Sequence, residues 1–374
     1  MPKILFVASV QGHFSSFHIP YMKWFKDNDW EVHCACKVNP DKSLPYCDRI
    51  WDVPFVRSPY QKGHLKAFKE LKHVIDSGNY DIVHCHTPMA SVLTRLAAKN
   101  ARKNGTKVLY TAHGFHFFKG GPKSGWLIYF PVEKLLSSLT DAIITINHED
   151  YEATWKYKFN CPTYLVPGVG LDTSRFIVSS PELRAELRNK YGIPEEKYIL
   201  FYAAEFIPRK NQEYLIRQIP ELSKVIPEIT LMLAGDGRQV DEMRNLVVQL
   251  KMEDHVKILG FRRDCPQLTA LSDVGVSASR QEGLGINVAE YMFAGLPVVI
   301  SHDRGHHEMV TDGKDGFYFP LNQNDTTFRE KIIKLYNDPQ LRKEMGAAAK
   351  KSIEKFSIDN ALKAHIPIYR SLMP

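Results

Sequence analysis

Ser279-Arg-Gln-Glu-Gly-Leu-Gly-Ile-Asn-Val-Ala-Glu-Tyr-Met-Phe-Ala-Gly-Leu-Pro-Val-Val-Ile-Ser301 decides how this chain is read. It follows the apolar run Val274–Ser277, turns on Gly283 and Gly285, continues with helical spacing and enters a second apolar run, Pro297–Ile300. Strand, glycine turn, helix, strand is the repeating unit of a parallel sheet, with the helix N-terminus at the C-terminal edge of the strands. Bare backbone N–H groups at Gly283, Leu284 and Gly285 suit a phosphate, and the glycines let a ligand approach the backbone closely. Glu290 falls about five residues into the helix, roughly 7.5 Å along its axis, which is the order of separation between a diphosphate and its ribose. A carboxylate accepting from two vicinal hydroxyls is its natural role. Glu282, just ahead of the glycines, is placed to accept from hydroxyls of a transferred sugar. The plain alternative, a helix cap with an exposed glutamate, leaves the combination of glycines, two acids and strand entry unexplained.

The same rhythm extends in both directions. Strands are expected at Ile4–Ala8, Glu31–Cys36, Ile82–Cys85, Val108–Thr111 and Ala142–Ile146, with helices such as Ser16–Lys26 and Leu65–Asp76 between them. Val166-Pro-Gly-Val-Gly-Leu-Asp172 interrupts the alternation, and a second series follows at Tyr198–Ala203, Ile229–Ala234, Val256–Leu259, Val274–Ser277 and Pro297–Ile300. The expected class is α/β: two doubly wound parallel-sheet domains, 1–170 and 171–356, with a cleft between them. The last helix, about 357–374, is free to pack back on the first domain, and Leu341–Phe356 before it is strongly periodic.

A length of 374 residues exceeds what one core usually organises, and 44% hydrophobic with 24% charged residues is the balance of an ordinary globular protein. The apolar start Met1–Val10 lacks a cleavage pattern and reads as a strand, and no stretch is long enough to span a bilayer. Six scattered cysteines form no CxxC pair, which points to reduced thiols and a cytoplasmic protein. Cys34 and Cys36, on one face of a strand, read as buried small hydrophobes. Of the net charge of +7, residues 1–172 hold a surplus of six, with 21 Lys/Arg against 15 Asp/Glu. Such a bias suits an anionic partner, a lipid surface among them.

With Glu282 and Glu290 separated by seven residues, the chain resembles the retaining glycosyltransferase family 4 over nearly its whole length. The stretches Gly12-His-Phe-Ser-Ser-Phe-His-Ile-Pro-Tyr21, Asp81-Ile-Val-His-Cys-His-Thr-Pro88 and Tyr110-Thr-Ala-His-Gly-Phe-His-Phe-Phe118 resemble its bacterial capsular and exopolysaccharide branch most. The resemblance implies a GT-B fold, two Rossmann-like domains with the nucleotide-sugar donor held mainly by the second. It implies Lys210, in Phe206-Ile-Pro-Arg-Lys-Asn-Gln212, on the donor diphosphate, and no metal or other cofactor, because an ammonium and a helix N-terminus offset the leaving group's charge. It further implies donor contacts at Gly12, at Gly235 in Ala234-Gly-Asp-Gly237, and at Phe261 and Arg262, where the base is read through backbone groups. His113, just past Val108–Thr111, is expected near the reacting side of the sugar. Glu205 stands where the family carries an arginine, so Arg209 or Arg280 is left to supply a second cation. UDP is the implied carrier and an undecaprenyl-diphosphate saccharide the implied acceptor, at the inner face of the membrane.

Three further signals bear on partners. Asp27-Asn-Asp29 has a metal-binding DxD spacing but reads as a turn. His302, His306, His307 and Glu308 resemble a zinc set yet fall where the family carries a Gly-x-x-Glu loop; His84 and His86 share a strand face as a histidine pair suited to metal. Gly125–Leu139 is apolar and aromatic beside Lys119 and Lys123, fitting either a peripheral membrane contact or a core helix. Two other functions remain: a nucleotide-sugar epimerase of the same fold, and a basic module for membranes or nucleic acid. The latter lacks the aromatic and basic interleaving of a nucleic-acid reader, so no nucleic-acid partner is expected.

Overall fold

The computed structural model describes residues 1–56, 58 and 60–373. The chain forms two compact units, Met1–Leu171 with Ile358–Pro374, and Asp172–Ser357.

The first unit is built on seven strands: β1 (Lys3–Val10), β2 (Glu31–Lys37), β3 (Arg49–Asp52), β4 (Ile82–His86), β5 (Lys107–Ala112), β6 (Ala142–Thr145) and β7 (Thr163–Leu165). Their order is β3-β2-β1-β4-β5-β6-β7, and every pairing is parallel. β1 is buried on both faces from Ile4 to Val7, as a strand covered by helices on each side must be. The expected helix Ser16–Lys26 is two helices, Gln11–Phe17 and Ile19–Asp27. They break at His18 because Pro20 has no N–H for a continuing ladder and opens the second helix. The last helix, Ile358–Leu372, packs on this unit. Tyr369 Oη lies 2.9 Å from His84 Nδ1, and Tyr21 donates to the Val169 carbonyl at 2.9 Å beside His365.

The second unit holds β8 (Tyr198–Ala203), β9 (Ile229–Ala234), β10 (Val256–Ile258), β11 (Val274–Ser277), β12 (Val298–Ser301) and β13 (Gly316–Phe319), again all parallel, in the order β10-β9-β8-β11-β12-β13. The architecture is the expected pair of doubly wound sheets. In each, strand order reverses once, between β1 and β4 and between β8 and β11, and ligands of such sheets bind beyond the strand C-termini at that reversal.

The deciding stretch folds as read, with one shift in detail. Its helix runs Ile286–Phe293, and Gly285 is the N-cap in the left-handed region (φ 88°). The helix stops in a Schellman arrangement: Gly295 N–H donates to Met292 O and Leu296 N–H to Tyr291 O, both at 3.0 Å, with Gly295 at φ 83°. Val288, Ala289, Tyr291 and Met292 are fully buried, and the Tyr291 hydroxyl accepts from Ala203 N–H at the end of β8 (2.8 Å). Gly275 on β11 leaves the room for that ring, since a Cβ there would lie 2.3 Å from Tyr291 Cδ2.

Candidate active site

In the second unit, the loop after β8 carries Arg209 and Lys210, and the loop after β11 carries Glu282, so the reversal of strand order brings together side chains more than seventy residues apart. Lys210 Nζ lies 2.5 Å from Glu282 Oε1, and Arg209 Nη1 3.0 Å from Oε2. Ser279 Oγ donates to Oε1 at 2.5 Å. Burial alone would raise the Glu282 carboxyl, but Lys210, Arg209 and the Ser279 hydroxyl outweigh it and hold the carboxyl below its usual range. The loop itself is pinned by Asp303, whose Oδ2 accepts from Glu282 N–H (3.0 Å) and Gly305 N–H (2.9 Å). Two cations and one anion leave this cluster with a surplus positive charge. Arg209 is the arginine that reaches it; Arg280 turns instead to Asn211 Oδ1 (3.0 Å).

A pocket of about 690 Å³ opens beyond β8 and β9, lined by Ala203–Glu205, Ala234–Gly237, Phe261, Arg262 and Cys265. Gly235 is required there: at φ 142° a Cβ would stand 2.0 Å from the Ala204 carbonyl oxygen. Burial, and after it the charge of Glu290, push the Cys265 thiol up to about 11, which sets Glu290 near the Cys265 wall of this pocket. Phe261 is 72% exposed at the rim. The Arg262 guanidinium is already engaged, bonding Asp264 Oδ1 at 2.8 Å and Oδ2 at 2.5 Å. Gly283 and Gly285 flank Leu284, whose side chain is buried and so anchors the turn.

In the first unit, Gly12 lies in the first turn after β1, with nothing within 4 Å of where a Cβ would stand. With Ser9, His13, Thr87, Met89, His116 and Tyr129 it lines a second pocket of about 590 Å³. His113, beyond β5, sits with its ring edge-on to His13 (centroids 4.8 Å apart) and its Nε2 3.4 Å from His86 Nδ1. His84 packs on His86 with ring centroids 4.0 Å apart, but its nitrogens are both engaged, Nε2 with Thr111 and Nδ1 with Tyr369. The C-terminal side of this pocket's wall continues into Gly125–Tyr129, a π-helical turn, and the helix Phe130–Leu136. Gly125 packs where a Cβ would meet the His116 carbonyl oxygen at 2.3 Å. Glu133 and Leu136 face inward, Glu133 bonding the fully buried Arg95 at 2.8 Å, while Leu127 (76%) and Leu135 (71%) are exposed with Ile128 and Val132.

A model of "Glycosyl transferases group 1" matches residues 184–352, and a "Glycosyl transferase 4-like" model matches residues 3–147. "Putative glycosyltransferase EpsD" of Bacillus subtilis (strain 168) is 44% identical over 372 residues, 99% of this chain and 97% of its own length. The chain belongs to the group 1 glycosyltransferases. An Escherichia coli relative of this glycosyltransferase, "UDP-Gal:alpha-D-GlcNAc-diphosphoundecaprenol alpha-1,3-galactosyltransferase", is 27% identical over 79% of this chain and 76% of its own. Anabaena HepE, solved in complex with UDP-glucose, superposes with a TM-score of 0.79 at 22% identity, over 99% of this chain and 100% of that one. That likeness is one of fold, and the fold is GT-B.

Reading the glycosyltransferase by sequence alone missed Ser279 and Asp303, which hold Glu282 and its loop. A weak signal existed for Asp303: an Asp two residues before Gly305, just past a strand, is a natural cap for the following turn. The Asp27-Asn-Asp29 spacing is a turn, with Asp29 at φ 62°. His306 is buried, its ring on the Ser301 carbonyl at 2.8 Å, while His302 and His307 pair at the surface at 3.4 Å, so these three do not converge. No helix among the described residues is long and apolar enough to cross a membrane.

Proposed function

We propose that this glycosyltransferase transfers a sugar from a UDP-sugar to a lipid-linked saccharide, with retention at the anomeric carbon, in the synthesis of an exopolysaccharide or capsule. The observation that carries the reading is the Arg209–Lys210–Glu282 cluster beside a glycine-lined pocket at the strand reversal of the second unit. In this reading the pocket takes the nucleotide, with Gly235 and the backbone at Phe261 and Arg262 against the base, and Glu290 takes the ribose hydroxyls. Lys210, assisted by Arg209 and the amides at Gly283–Gly285, neutralises the departing diphosphate, so the charge is met by fixed protein groups and not by a metal ion. Glu282 and His113 orient the sugar, and the Gly12 pocket receives the acceptor. The E. coli relative, named for a diphosphoundecaprenol acceptor, supports the acceptor class, and the HepE complex supports UDP.

The exposed apolar face of Gly125–Leu136, next to exposed Lys119 and Lys123, supports peripheral binding at the inner membrane surface, where a lipid-linked acceptor resides. The function is tested by incubating the purified protein with UDP- and GDP-sugars, with and without lipid-linked acceptors. Slow UDP release from one UDP-sugar, accelerated by acceptor, is expected, together with a Glu290→Ala variant crippled at low donor concentration. An epimerised sugar formed from donor alone, or unaltered turnover by Glu290→Ala, would overturn it.

A further inference from the structure

Four histidines of the first unit converge where its strand order reverses. His13 comes from the first helical turn after β1, His18 from the break between two helices, His86 from the last residue of β4, and His113 from just beyond β5. One ring nitrogen of each lies within 4.8 Å of one from every other. The rings of His18 and His86 are 4.0 Å apart between centroids, His13 and His18 5.0 Å, and His13 and His113 4.8 Å.

Three nitrogens in this nest, His13 Nε2, His18 Nδ1 and His86 Nε2, are buried with no hydrogen-bond partner among the protein atoms. A buried polar atom left unpaired is destabilising, so three in one place ask for a ligand, and a Lewis acid is one that takes nitrogen lone pairs. Rings packed on the nest include Phe6, Phe14, Phe17 and Tyr21, and the Tyr21 hydroxyl already donates to the Val169 carbonyl, so none of these four gives a proton to an imidazole lone pair.

We propose that His13, His18, His86 and His113 form a binding site for a divalent transition-metal ion, zinc being the expected occupant of an all-imidazole set. Tetrahedral zinc with Zn–N distances near 2.0–2.1 Å spaces its ligand nitrogens about 3.4 Å apart. One nitrogen from each ring already lies within 4.8 Å of one from every other, and side-chain rotation would bring the four to that spacing. The bound ion ties the turn after β1 to the ends of β4 and β5. Coordinated through one nitrogen, His113 keeps its second as an obligate N–H donor. The site does not depend on the donor and acceptor assignments above.

The full chain, purified without a histidine tag and stripped with chelator, is titrated with Co²⁺ and then Zn²⁺. The expected result is about one equivalent of Co²⁺ per chain with the intense visible bands of a tetrahedral site, displaced by Zn²⁺, and a raised thermal midpoint with the metal bound. Stoichiometric binding is lost in His18→Gln and in His86→Gln. It persists in a His302→Gln/His307→Gln variant, which removes the exposed histidine pair. Substoichiometric binding by the wild type, or binding undiminished in both cluster variants, overturns the proposal. Where those variants fail to fold, X-ray absorption at the zinc edge of the wild type decides, a shell of fewer than three imidazole nitrogens refuting the site.

Discussion

Replacing Glu282 by Gln keeps the shape of the side chain and its oxygen for Ser279, and removes the charge that Lys210 and Arg209 face. Truncating one partner of a fully buried ion pair costs about 3–5 kcal/mol. Here the Lys210 side chain keeps 15% of its exposure and Arg209 42%, so both regain water and the expected loss is smaller, about 2 kcal/mol. For a unit the size of Asp172–Ser357 that is a fall of roughly 4–8 °C in its thermal midpoint. The loss carries a pH signature. Because the folded-state carboxyl is held below its ordinary range, the wild-type advantage is complete above the unfolded value of about 4.3 and fades as pH falls through the folded value. Thermal melts of both proteins in a pH series from neutral into acid read this directly. Ligand binding supplies a second signature. With the carboxylate gone, both cations are free for phosphate, so UDP should bind at least as tightly while donor hydrolysis slows about a hundredfold. A stability gap that is absent at neutral pH or constant into acid, or a UDP affinity weakened tenfold, would refute the reasoning.

Three other outcomes are expected. Glu133→Ala strands the fully buried Arg95 guanidinium and should cost about 3–5 kcal/mol in a denaturant titration, whereas Arg95→Leu/Glu133→Leu should recover most of it. Gly235→Ala, which sets a methyl group against the Ala204 carbonyl, should cost about 1–3 kcal/mol of strain and abolish the UDP-dependent rise in thermal midpoint. Leu127→Asp and Leu135→Asp should leave the melting temperature unchanged yet weaken binding to anionic vesicles roughly ten- to a hundredfold each, measured by sedimentation.

The interior strands were legible because they are buried on both faces and so appear as unbroken β-branched runs. β3, β7 and β13 were not. Each is an outermost strand of its sheet, held along one edge only, and Arg49-Ile-Trp-Asp52 is too polar and Thr163–Leu165 too short to stand out, although the equally outermost β10 was readable at Val256–Leu259. The helix beginning at Gln11 was hidden by Gly12 and by the lack of a capping side chain at Val10. The glycine turn and its two acids were readable because their spacing is local. That Lys210 and Glu282 grip one another was not, since each residue's sequence neighbourhood assigns it a separate ligand and only the β8–β11 adjacency joins them. The histidine nest was equally hidden, its members being spread over a hundred residues with no metal-binding spacing; His84 and His86 do pack together, with ring centroids 4.0 Å apart, but both nitrogens of His84 are taken, by Thr111 and Tyr369.

Tyr369 seals β4 from a helix encoded after the whole of Asp172–Ser357. A ribosome working at about 5–20 residues per second therefore leaves the amino-terminal sheet without this cover for roughly 10–40 s, with His84 and Phe25 exposed on that side. Maturation of the earlier half thus waits on translation of the later one, and a nascent chain arrested before Ile358 presents an oily seam to whatever chaperone is near.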